Sequence, residues 1–478
     1  MNQTVTKREI RLGRRVIGPR VGASFRLQKG SLEERLVTIP FESLARHACI
    51  FGKTGSGKSV TGMVLAKELS ALGDISVLIL DRTGEFARSP LSSLPNATVY
   101  TPGLNLTISP FSRRSDNRGD DLERSVSLMH HFVGTSFKGA VFSPYQERAL
   151  RDALKTCYGF DSSRLSDVLS ELDAQGERSK KEVKGWLEGN QAVISRLTPL
   201  ASGSLARVFD VDGPGLSESS LFEPGLHIVN LGALQTDEAR NMMSQVLCEL
   251  LISYGKKLGR TGGLRFVLLV DEAQHIAPSR WDYDGILENY AGELRKYGMG
   301  LVVIATRPTQ VSENIIAHSN TIVCHSMTSG KDIDLALNYM VGKLAAKGFS
   351  SGLRALEVGE CFVRLADETA DTPVGCRVGL PEHGLQVDPP LSGPDDALPL
   401  EAGSEPVPAS ALAGAQGSDP SSLRHGRLRY DQLRAKTFLD FGHEENHGES
   451  SRNRRNREGR EGLCQGSPGP GVRGPERR

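Results

Sequence analysis

The sequence predicts an α/β fold, and three observations carry that expectation. Strand-like apolar runs alternate with helical ones from Phe41 to Ile108 and again from Leu226 to Leu365. A glycine-rich run, Gly52-Lys53-Thr54-Gly55-Ser56-Gly57-Lys58-Ser59, lies between a short apolar run, Ala48 to Phe51, and an amphipathic helical stretch, Val60 to Leu72. A further apolar run, Phe266 to Val270, ends in two acids, Asp271 and Glu272.

The chain divides into segments by composition and period. Residues 1–40 are β-prone and basic, with glycine at Gly18 and Gly22, and read as a reduced barrel or an arm. Residues 41–108 are the first part of the core. Residues 109–224 change to helical spacing, in Leu122 to Val133, Tyr145 to Cys157, Leu165 to Leu172 and Lys181 to Leu197, and read as a helical insertion. Residues 225–380 return to strands at Leu226 to Leu231, Phe266 to Val270, Leu301 to Ala305, Thr321 to His325 and Cys361 to Leu365. Residues 381–478 are rich in Pro, Gly, Ser and charge, too poor in apolar surface to offset chain entropy, and a disordered tail is expected. Within it, Tyr430 to Phe441 reads as a helix or docking peptide. The run Arg452 to Arg457 reads as solvated charge or as a nucleic-acid contact.

At 478 residues there is room for two or three domains, and 38% hydrophobic with 24% charged residues places the chain among globular proteins. A net charge of +1 neither favours nor excludes nucleic acid as a partner, because basic residues can be concentrated locally. No apolar run approaches the length of a membrane span, and residues 1–15 lack the apolar stretch of a secretory signal. The 7 cysteines form no Cys-x-x-Cys pair, so buried free thiols in a reducing cytoplasm are expected.

The glycine-rich run satisfies G-x-x-x-x-G-K-[ST] through Gly52, Gly57, Lys58 and Ser59. In such a loop backbone N–H groups close around phosphate oxygens, and the helix N-terminus adds partial positive charge. Lys58 is expected to reach the β- and γ-phosphates, and the Ser59 hydroxyl to ligate Mg²⁺. Asp271 is expected to complete the magnesium shell through water, and Glu272 to polarise the attacking water, so ATP would be hydrolysed rather than merely bound. Asp81 and Glu85 belong to Asp81-Arg82-Thr83-Gly84-Glu85-Phe86, which follows an apolar strand and reaches the ligand edge of the sheet. Thr306, after the strand Leu301 to Ala305, is placed to sense the γ-phosphate. Arg295 ends a helix and reads as a solvated residue or as an arginine reaching a neighbouring subunit's site.

Taken together, Leu44-Ala45-Arg46-His47, the loop Gly52 to Ser59, Asp81 to Phe86, Asp271-Glu272-Ala273-Gln274, Arg295-Lys296-Tyr297-Gly298 and Arg307-Pro308 resemble the HerA-type branch of the HerA/FtsK ATPases. Leu356 to Val363 is similar to that family's closing strand, and the resemblance covers roughly Phe41 to Val378. It implies a RecA-like core, a hexameric ring and ATP-driven movement of double-stranded DNA through the pore. It also implies a nuclease partner, NurA-like in end processing or a defence nuclease, and Arg295 as the trans-acting arginine. Two departures stand out. Thr306 occupies the place where the family carries glutamine, and residues 1–40 are shorter than the usual barrel. Two other functions fit the core motifs: a motor of a conjugation or secretion system, and a non-motor regulatory NTPase.

Overall fold

Among the described residues, twelve strands form one mixed sheet. The structure is a computed structural model, and it describes residues 8–17, 26–27, 35–137, 140–178, 184–279, 285–365 and 373–385. All lie in the first of two units, Met1–Ser392; the second, Gly393–Arg478, falls outside them, with the Arg-rich run and the Tyr430 to Phe441 segment.

The strands are β1 (Glu9–Ile17), β2 (Arg26–Leu27), β3 (Leu36–Pro40), β4 (Ala48–Phe51), β5 (Ser76–Asp81), β6 (Ala97–Tyr100), β7 (Gly225–Asn230), β8 (Phe266–Val270), β9 (Met299–Ala305), β10 (Thr321–His325), β11 (Glu360–Arg364) and β12 (Val374–Val378). Their order is β2-β1-β12-β11-β10-β4-β9-β8-β5-β7-β6, with β3 also on β1. From β10 to β6 every pairing is parallel; β11, β12 and β1 add on antiparallel. The central parallel strands β4, β5, β8, β9 and β10 are buried along their whole length, which is why they read as continuous apolar runs.

Alternate residues of each strand feed two cores, one per face. In β4, Cys49 and Phe51 join one, and Ala48 and Ile50 the other. The helices of nine residues or more are α1 (Lys58–Ser70), α2 (Arg118–Ser136), α3 (Pro144–Gly159), α4 (Leu165–Arg178), α5 (Lys184–Leu197), α6 (Asp237–Lys257), α7 (Ile286–Leu294) and α8 (Gly330–Ala355). Helices α2 to α5 come from the stretch with helical spacing, and α2 packs on α6. Helix α3 starts at a capping box: Ser143 Oγ accepts from the Gln146 N–H, Gln146 accepts from the Ser143 N–H, and Pro144 fills the first turn.

The described strands of residues 1–40 join the core: β1 pairs with β12 and extends the core sheet, and β12 is a strand that no sequence signal announced. Helix α1 is not amphipathic but buried from Thr61 to Ala66, because it packs against β1 as well as the central strands β4, β5 and β9. Gly62 permits that fit, since a Cβ there would stand 2.6 Å from Ile304 Cδ1 and 3.0 Å from Phe86 Cζ.

Glu68 ties α1 to both ends of the described core. Its carboxylate accepts from the Arg11 backbone N–H at 3.0 Å and the Arg11 guanidinium at 2.7 Å, and it lies 3.2 Å from His383 Nε2. The Leu380 N–H donates to His383 Nδ1, so Nε2 carries the proton given to Glu68. Burial alone would raise the Glu68 pKa, but the His383 and Arg11 hydrogen bonds together hold it down at about 2. The stability from this clamp is therefore complete above the ordinary carboxylate range and is lost as pH falls toward 2. Glu68→Gln is expected to destabilise the protein by on the order of 1–3 kcal/mol near neutral pH in denaturant titrations. The difference from the unsubstituted protein should fade as the pH is lowered through the carboxylate range.

Candidate nucleotide site

Parallel pairing brings the C-terminal ends of β4, β9, β8 and β5 to one edge of the sheet. Phe51 is opposite Ala305, Val303 opposite Val270, and Val270 opposite Leu80. Consequently Gly52, Thr306, Asp271 and Asp81, the residues that follow or end these strands, converge on that edge.

The loop 52–59 is held by its neighbours on the β10–β11 side. The Lys53 N–H donates to the Ser326 carbonyl at 2.8 Å, and the Gly359 N–H donates to the Ser56 carbonyl at 3.0 Å. Gly57, the N-cap of α1, has φ 106°, and a Cβ there would lie 3.1 Å from the Gly359 backbone. A Cβ on Gly52 would stand 2.6 Å from His325 Cβ. His325 is fully buried, with Nε2 2.8 Å from Thr61 Oγ1 and Nδ1 2.9 Å from the Glu360 carbonyl; burial pushes its pKa down to about 4. Sequence motifs single out neither His325 nor Gly359 as part of the loop's support; a histidine ending an apolar strand was the available signal. Lys53, Thr54 and Gly55 are exposed at the tip, Ser56 is buried, and Ser59 is half-buried in the first turn of α1. Lys58 Nζ donates to the Lys53 carbonyl at 3.1 Å. Burial lowers the Lys58 pKa against the opposing pull of Glu272, Asp271 and Glu85.

The acids divide by task. Asp271 is buried, and its Oδ2 accepts from Thr83 Oγ1 at 3.1 Å. Burial first, then Glu272 and Asp81, push its pKa up to about 7. Glu272 is half-buried with φ 50° and ψ 51°, a left-handed conformation uncommon outside glycine, and its carboxylate accepts from Gln274 Nε2. Asp81, expected to face the nucleotide, lies at this edge and also holds its own loop. Its oxygens accept from the Gly84 N–H and the Ala87 N–H, each at 2.8 Å. This turn seats Phe86 against Gly62 of α1 and leaves Glu85 exposed beside Lys58. Thr306 is half-buried after β9, and the next residue, Arg307, is drawn away by Asp332 at 3.0 Å.

Arg295 is not brought to this edge. It precedes β9, whose first residue Met299 pairs with Phe266, so it lies at the N-terminal edge of the sheet, a strand length from its own phosphate loop. There Arg295, Lys296, Arg46 and Glu42 line a cleft of about 530 Å³.

The residues present fit Mg²⁺ and a nucleoside triphosphate. Among the described residues no cluster of three or more His, Cys, Asp or Glu is set to hold a metal alone. Mg²⁺ would therefore be held by Ser59 and Asp271 together with phosphate oxygens, and would relieve the mutual repulsion of the acids.

The family model described as the central domain of helicase HerA matches residues 29–117. The chain is 25% identical over 333 residues to a DNA double-strand break repair helicase HerA of Sulfurisphaera tokodaii, covering 68% of this chain and 64% of the relative. It is 24% identical over 337 residues to the protein so named from Sulfolobus acidocaldarius, again 68% and 64%. These alignments span less than two thirds of either relative. Among solved structures, VirB4 of Thermoanaerobacter pseudethanolicus is similar with a TM-score of 0.57 at 16% identity, covering 79% of this chain and 98% of that one. Plasmid coupling protein TrwB in complex with ADP and Mg²⁺ is similar with a TM-score of 0.55 at 16% identity, covering 79% and 96%. The structural likenesses establish a RecA-like P-loop fold, and the sequence matches bear out the resemblance to HerA-type ATPases.

A raised carboxyl pKa means that stability present at low pH is lost as pH rises through the folded value, here about 7 for Asp271. In nucleotide-free, metal-free protein, Asp271→Asn is expected to raise Tm at about pH 8, with the gain shrinking toward about pH 5. A Tm difference independent of pH would contradict this.

Proposed function

We propose that this chain, a HerA-type P-loop ATPase by its motifs and relatives, is an ATP-hydrolysing motor that works as a homo-hexamer on double-stranded DNA. In this reading it pairs with a nuclease in DNA end processing or phage defence. The observation that carries it is the division of the site. Gly52 to Ser59, Asp271, Glu272 and Thr306 share one edge of the sheet, while Arg295 occupies the opposite edge.

Thr54, Gly55, Gly57, Lys58 and Ser59 would cradle the phosphates through backbone N–H groups, with Lys58 on the β- and γ-phosphate oxygens, while the Lys53 and Ser56 N–H groups hold the loop itself. Ser59 and Asp271 would hold Mg²⁺. Glu272, one residue beyond the buried Asp271, would orient and polarise the attacking water, and Thr306 would donate to the γ-phosphate. Glu85 would lie at the rim near Lys58. Arg295 would act on the nucleotide of a neighbouring copy, where an arginine stabilises charge developing in phosphoryl transfer. Support for DNA as substrate comes from the relatives, named as DNA double-strand break repair helicases. No described helix is long and apolar enough to cross a membrane, so nothing among the described residues favours a membrane-tethered transfer motor.

Steady-state turnover tests the assignments. Glu272→Gln is expected to lose about 100-fold or more in kcat while keeping ATP binding, and Lys58→Ala to lose both. Arg295→Ala alone should be inactive yet bind ATP, and mixing it with Lys58→Ala should restore part of the activity. Absence of recovery in mixed rings would argue against a trans role. Duplex DNA should stimulate hydrolysis, and native mass measurement with ATP should give a hexamer; an active monomer unresponsive to DNA would remove the motor reading.

A further inference from the structure

We infer that the turn Glu357–Glu360 is the platform for the nucleobase, with Val358 as its apolar contact; this rests on the nucleotide reading of the loop 52–59. The sheet order fixes the direction in which the nucleotide must run. Strand β4 delivers the phosphate loop, and on one side of it lie β9 and β8, which carry Thr306, Asp271 and Glu272. The γ-phosphate belongs on that side, where the carboxylates and the attacking water would meet it. Ribose and base therefore extend to the other side of β4, toward β10 and β11.

The turn entering β11 stands there and is welded to the loop. The Gly359 N–H donates to the Ser56 carbonyl, and Gly359 abuts Gly57. The fully buried Glu360 carboxylate fixes the turn from within, accepting from the Glu357 N–H at 3.0 Å and the Arg377 guanidinium at 2.7 Å. The Val378 N–H anchors it to β12 through the Gly359 carbonyl at 2.8 Å. On this rigid support Val358 is 58% exposed, an aliphatic side chain in water at the rim of the loop. A purine ring covering it would bury apolar surface on both partners without asking the turn to move.

The test is calorimetric titration of full-length protein carrying Glu272→Gln, which stops turnover, with Mg·ATP and separately with Mg·tripolyphosphate, which has no base. Val358→Asp is expected to weaken ATP binding about tenfold, with tripolyphosphate affinity unchanged and Val358→Phe binding ATP as well as or better than valine. Unchanged ATP affinity in Val358→Asp would overturn the platform, as would an equal loss for both ligands, which would make the turn a support of the loop alone. If the parent binds neither ligand, the nucleotide reading itself fails and the platform falls with it.

Discussion

A loop that offers its N–H groups to an anion cannot also use them to hold itself in place. The loop 52–59 meets this constraint by spending the Lys53 and Ser56 N–H groups on its own hold and otherwise leaning on its neighbours through carbonyls and close contacts. Carbonyls of Lys53, Ser56 and Gly57 accept from Lys58 Nζ, the Gly359 N–H and Thr61 respectively, and His325 and Gly359 press on Gly52 and Gly57. The first N–H groups of α1 lack helical partners by geometry and are left for phosphate. Strands β10 and β11 are thus as much a part of the site as the glycine run, and mutual support of this kind suits a pre-organised anion cradle.

The acids impose the opposite condition. Asp81, Asp271 and Glu272 crowd one edge, with Glu85 close by, and burial raises the pKa of Asp81 and Asp271. Without a cation the cluster is electrostatically unfavourable, and the left-handed backbone at Glu272 adds local strain. Asp81 answers part of this by committing both oxygens to backbone amides, which makes it a brace for the Phe86 turn. Stability is given up at the edge where chemistry is expected and recovered at Glu68, on the far end of α1.

Much of this was legible in sequence because it is local. The glycine run, the helix after it, the acidic pair ending β8 and the parallel strands are each specified within a few residues. What was not legible depends on distant partners. The pairing of β1 with β12 joins residues about 360 positions apart (Gly13 with Val378), and no period in residues 1–40 announces it. Helix α1 reads as amphipathic because its Val and Leu positions allow it, whereas packing against β1 as well as the central strands buries it from Thr61 to Ala66. Asp81 reads as a ligand because strand-end acids often are; that its oxygens also accept from the Gly84 and Ala87 N–H groups is visible only in the folded loop.

The clamp at Glu68 also says something about chain topology. Arg11 comes from the first strand and His383 from the last described turn, and the Gly379 N–H donates to the Leu12 carbonyl at 2.9 Å. The entrance and exit of the core therefore meet on one helix, the helix that begins at the phosphate loop. A short linker would join them with little rearrangement, so the core can be reopened at an exposed turn elsewhere as a circular permutant.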